Sequence, residues 1–134
     1  NLEELAGLAG RELRTLGDVV AAATEVQAGG AGTVLVSLGA DGAVLLDDTG
    51  ALHADTPPFT PVSTVGAGDA MLAGFLFAAG ETRERSLREA VAWGAAAARL
   101  PGSRGPGPGD LDREAVRLHD SLDGKRKLKG EAPR

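Results

Sequence analysis

Three small residues, Gly66, Ala67 and Gly68, run directly into a single acid, Asp69, and an apolar stretch with helical spacing begins at once. A glycine-rich turn that opens a helix leaves backbone N–H groups unpaired and aimed at one point, which suits an anion. A carboxylate placed there would repel the phosphate that the turn attracts. The conflict disappears if Asp69 faces a second reactant and removes its proton while the N–H groups hold the group being transferred. That is the chemistry of phosphoryl transfer to a hydroxyl. The competing reading is a helix cap: acids near a first turn are common there and contribute about 0.5–2 kcal/mol. Taken alone, Gly-x-Gly-Asp favours the cap.

A second glycine-bearing loop changes the balance. Residues 33–37 form an apolar, β-branched run typical of a buried strand, and the loop that follows carries Ser37, Gly39, Asp41 and Gly42. In open α/β sheets, ligands gather beyond the carboxyl ends of strands. Gly39 and Gly42 let backbone amides approach a ligand closely, and Ser37 adds a hydroxyl. In isolation the segment reads as a plain turn into the next strand. A strand-end Ser-x-Gly-x-x-Gly followed by Gly-Ala-Gly-Asp at a helix start is a more specific combination.

Other chemistries are excluded. No Gly-Lys-Ser/Thr occurs for a Walker loop, and Met71 stands where a dinucleotide fingerprint needs its third glycine. The net charge of −5 argues against a general nucleic-acid surface, and an absence of cysteine removes disulfides and thiolate metal sites. The apolar stretch after Asp69 is too short and too interrupted to span a membrane. His53 and His119 lie far apart and are read as surface residues. Glu3, Glu4, Arg11, Glu12 and Arg14 break any secretory leader, and the lack of cysteine suits a reducing cytoplasm. The first residue is Asn rather than Met, and the chain is expected to be a fragment.

The elements that must position these loops follow from pattern. Leu2, Leu5, Leu8 and Ala9 predict a short helix closed by Gly10. Thr15 predicts an N-cap with Asp18 as its capping-box acid, and Val19, Val20, Ala23 and Val26 carry that helix to Gly29 and Gly30. The order of helix, glycine break and buried strand predicts an α/β unit with parallel pairing. Residues 43–47 and 51–54 read as a hairpin about the turn at 48–50. Pro57, Pro58 and Pro61 enforce an extended crossing. Helices are expected at about 69–79 and 84–100, then a Pro/Gly loop over 101–109. Asp110 or Asp112 would cap a last helix reaching Leu122. The basic run from Gly124 (Lys125, Arg126, Lys127, Lys129) reads as a disordered tail over 124–134.

Residues 64–75 are similar to the second signature of the ribokinase (PfkB-type) sugar kinase family, Ser37–Gly42 resembles its ATP-phosphate loop, and Asn1 with Glu4 resembles its Asn-x-x-Glu motif. The match runs from Asn1 to about Leu118 and would be less than half of such a kinase. The resemblance implies a three-layer ribokinase-like α/β fold, with residues 1–123 as its C-terminal ATP-binding part. It implies ATP and a sugar phosphate as partners, Mg²⁺ as cofactor, and a possible homodimer. Asp69 would be the base, with the N–H groups of Gly66, Ala67 and Gly68 neutralising the γ-phosphoryl. Ser37, Gly39, Asp41, Gly42 and Asn1 would hold the nucleotide, and Glu4 would act indirectly on Mg²⁺. Gly94 would leave room for adenine, with tight helix packing as the equal alternative. The wording around Asp69 looks most like the 1-phosphofructokinase branch, with tagatose-6-phosphate kinase close behind. Most members carry Asp where Ser63 stands, so no potassium requirement is expected. A non-catalytic nucleotide-binding module is the rival reading. Without the sugar-holding half, a bare sheet edge and apolar faces would favour self-association.

Overall fold

Between Val34 and Asp55 the side chains alternate between two apolar surfaces, and that alternation decides the layering. The computed structural model describes residues 1–101 and 104–129. Strands β1 (Val34–Ser37), β2 (Ala43–Asp47), β3 (Gly50–Asp55) and β4 (Arg117–His119) lie in the order β1-β2-β3-β4. Val36, Val44 and Leu46 face one side, against helices α1 (Leu2–Ala9) and α2 (Leu16–Ala28). Ala43, Leu45 and Ala54 face the other, against α4 (Arg83–Ala98), on which α3 (Ala67–Phe77) is stacked. The result is a mixed α/β arrangement with helices on both faces of one sheet.

Local chemistry fixes the boundaries. Asn1 and Glu4 cap α1 reciprocally, and Gly10 ends it in the left-handed region with φ 69°. Thr15 and Asp18 form the expected capping box on α2. The hairpin of β2 and β3 is as expected, and Arg83 ties its turn to α4, bonding Asp47 at 2.9 Å and the Gly50 carbonyl. Gly74 lets α3 lie directly on α4, since a Cβ there would stand 2.6 Å from the Glu89 carbonyl oxygen and 2.7 Å from Trp93 Cγ.

Four expectations are corrected. Every strand pairing among the described residues is antiparallel, so β1 belongs to a meander rather than a parallel unit. No last helix reaches Leu122. Asp112 caps only a 3-10 turn at Arg113–Ala115, after which the chain extends and Arg117 pairs in register with Asp55. An arginine opposite a buried carboxylate favours that extended course over another helical turn. His53 is buried, with His119 stacked on it at 4.8 Å between ring centroids. Residues 124–129 are packed rather than a loose basic tail: the carbonyls of Gly124 and Arg126 accept the unpaired N–H groups of Gly17 and Leu16 at the start of α2. The last part of that expected tail, residues 130–134, lies outside the described residues.

Candidate active site

The glycine turn is held from the far end of α4. The carbonyl of Ala98, left over at that helix terminus, accepts the N–H groups of Val62 and Ser63 at 2.8 and 3.2 Å, and the Arg99 guanidinium lies over the Phe59 ring. Ser63 Oγ then takes the Val65 N–H, and Gly66 turns the chain into α3 with φ 79°, a conformation that costs any other residue about 1–2 kcal/mol. Beneath the turn, Gly94 of α4 is buried, and a Cβ there would lie 3.1 Å from Met71 and 3.6 Å from the Ala67 carbonyl. Gly94 thus lets α4 pack closely under the turn.

The Ala67 N–H is shared with the Thr64 carbonyl at 3.3 Å, while those of Gly66, Gly68 and Asp69 meet no backbone acceptor among the described residues. Asp69 itself is exposed, and no side-chain bond caps α3. An exposed carboxylate beside unanswered backbone donors can accept a proton while those donors hold an anion.

Ser37–Gly42 closes β1 onto β2 as a tight 3-10 turn. Leu38, Asp41 and Gly42 spend their N–H groups on carbonyls within the loop, while those of exposed Gly39 and Ala40 meet no backbone acceptor among the described residues. Gly42 (φ 82°) permits no side chain, because a Cβ would fall 1.9 Å from the Ala54 carbonyl oxygen. Asp41 is turned into the protein interior. It is fully buried, with Oδ1 taken by Arg126 Nη2 at 3.1 Å and Oδ2 by the Lys129 N–H at 2.7 Å. Asn1 and Glu4 are exposed and bonded to each other, and no hydrogen bond links them to either loop among the described residues. No group of three or more His, Asp or Glu side chains able to hold a metal occurs among the described residues.

A polar cluster adjoining Asp41 was not anticipated. Asp55 accepts from Arg126 at 2.8 Å, His119 at 2.9 Å and Arg117 at 3.2 Å, and His53 Nε2 donates to the Asp41 carbonyl. Burial alone would raise the Asp55 carboxyl, yet these donors hold it below its ordinary value. Burial lowers His53, and the charge of Arg126 adds to it, against the bond to Asp41. The only signal in the sequence was His53 and Asp55 two apart on one strand face.

The pfkB family carbohydrate kinase model matches residues 1–108. Over 92 residues the chain is 48% identical to a 1-phosphofructokinase of Haloferax volcanii, covering 69% of this chain and 29% of that protein. It is 40% identical over 107 residues to the ATP-dependent 6-phosphofructokinase isozyme 2 of Escherichia coli K12, covering 78% and 35%. The crystal structure of phosphofructokinase-2 from Escherichia coli in complex with substrates and products superposes with a TM-score of 0.74 at 39% identity, covering 82% of this chain and 36% of that one. The chain spans about a third of the length of these relatives.

Proposed function

The chain belongs to the pfkB family of carbohydrate kinases, and on that premise we propose that it is the nucleotide-binding and proton-accepting part of an ATP-dependent sugar-phosphate kinase. The favoured substrate is fructose 1-phosphate, phosphorylated at C6 to the 1,6-bisphosphate. The sugar oxygen bonds to the γ-phosphorus as the bond from phosphorus to the bridging oxygen breaks, and ADP leaves with that electron pair. Asp69 takes the hydroxyl proton. The N–H groups of Gly66 and Gly68, joined by that of Ala67 as it leaves the Thr64 carbonyl, hold the equatorial oxygens, where charge accumulates during transfer. Ser37, Gly39 and Gly42 form the ATP-phosphate loop, with the N–H groups of Gly39 and Ala40 as its outward donors.

One observation carries this reading: the exposed Asp69 carboxylate beside the N–H groups of Gly66 and Gly68, which meet no backbone acceptor among the described residues. Asp69→Ala in the intact protein should lower turnover with ATP and fructose 1-phosphate by about 10²–10⁴-fold. Near-normal turnover would remove Asp69 as the base. A 6-phosphofructokinase activity is the second reading, favoured by the likeness to isozyme 2 over a larger share of the chain. Comparing kcat/KM for fructose 1-phosphate and fructose 6-phosphate decides between them.

A further inference from the structure

Asp41 stands in the middle of the loop assigned above to the ATP phosphates, where an outward carboxylate would repel them. Both its oxygens are instead turned inward, onto the Arg126 guanidinium and the Lys129 N–H, and Arg126 also grips Asp55. The segment carrying Arg126 is fixed independently of these charges. Its Gly124 and Arg126 carbonyls accept the Gly17 and Leu16 N–H groups at 2.9 and 3.0 Å, and the Leu128 N–H donates to the Arg14 carbonyl at 2.8 Å. Gly17 is shaped to this contact, since a Cβ there would come within 2.8 Å of the Gly124 carbonyl oxygen.

We propose that residues 124–129 form a strap in which Arg126 is a positioning residue for the nucleotide, holding Asp41 inward and neutralised so that the Gly39 and Ala40 N–H groups face a polyphosphate. The inference rests on Ser37–Gly42 being the nucleotide loop. Removing the guanidinium leaves Asp41 buried beside that loop with one oxygen unpaired, and the loop must then open to let the carboxylate reach water. A carboxylate so released meets the incoming phosphates.

The test is made on the intact protein, with ATP titrated by calorimetry and the Gly39 and Ala40 amides followed by NMR. ATP should shift both amides. Arg126→Ala should weaken ATP binding about fivefold or more, Arg126→Lys should recover part of the loss, and adding Asp41→Asn to Arg126→Ala should recover more by removing the repelling charge. Gly17→Ala, which displaces the strap without altering any charge, should weaken ATP binding in the same direction. If Arg126→Ala does not fold, Arg126→Lys and Gly17→Ala carry the decision. Wild-type affinity in a folded Gly17→Ala or Arg126→Ala variant, with the two amides still responding to ATP, overturns the strap and leaves the loop assignment standing. If the wild-type amides ignore bound ATP, the loop assignment fails and the strap falls with it.

Discussion

Gly66 and Gly68 sit two apart in one turn, yet they should respond differently to the same methyl group. Gly66 has φ 79°, so alanine there is strained although a Cβ would meet nothing within 4 Å. Gly66→Ala should cost about 1–2 kcal/mol of stability, read by urea unfolding. Gly68 lies inside the first turn of α3 with no positive φ and open space around it. Gly68→Ala should leave stability within about 0.5 kcal/mol of wild type. Its turnover should nevertheless fall, because the new methyl group occupies space assigned to the γ-phosphoryl. A Gly68→Ala enzyme with full turnover would argue that the transferring group sits elsewhere. Residue identities such as Gly66, Gly68 and Asp69 were legible in the sequence because helix-start chemistry is local. The true engagement of Asp41 was not, because its partners Arg126 and Lys129 lie 85 and 88 positions away.

Elements carry these residues, and the contact of α3 with α4 sets where Asp69 points. Gly74→Ala would force a methyl group to within 2.6 Å of the Glu89 carbonyl oxygen, so the helices must part. The expected loss is about 1–3 kcal/mol of stability, together with lower turnover. A thermal melt and a rate measurement on one preparation check both. The β3–β4 register supplies a second expectation, in pH. His53 is held below its ordinary 6.5 chiefly by burial, so the unfolded chain binds the proton more readily than the folded one. Its contribution is complete above about pH 6.5 and is lost as pH falls through the lowered folded value. Asp55, held below 3.8, adds a further loss at more acid pH. Urea midpoints should therefore decline as pH drops below about 6.5, and His53→Gln should flatten the upper part of that decline. The helices α1 to α4 and the hairpin were readable because caps, glycine stops and apolar periodicity act over a few residues. The pairing of β4 with β3 was not, because three residues, Arg117–His119, are too few to show a period. Their course is set instead by Asp55 and His53 across the sheet.

The whole molecule leaves a face without cover. On α3, the residues following Asp69 on the outward side are apolar: Leu72 is 52% exposed and Leu76 59%, with Phe77 at 64% beside them. Val62 and Val65, just before the helix, are exposed as well. The sheet adds an edge, since β1 pairs only with β2 among the described residues. A surface of this kind on a 134-residue chain favours association with itself. Two modes are available, edge pairing through β1 or β4 and packing through α3, and charge on α3 separates them. Replacing Leu72 and Leu76 together with lysine puts like charges on that face while leaving the buried Met71 and Gly74 contacts with α4 in place. The 134-residue chain should show mass rising with concentration in sedimentation velocity, and the double variant should remain monomeric over the same range. Association that survives the lysines would assign it to an edge of the sheet. A wild-type chain that stays monomeric throughout would show that this apolar face is tolerated in water without a partner.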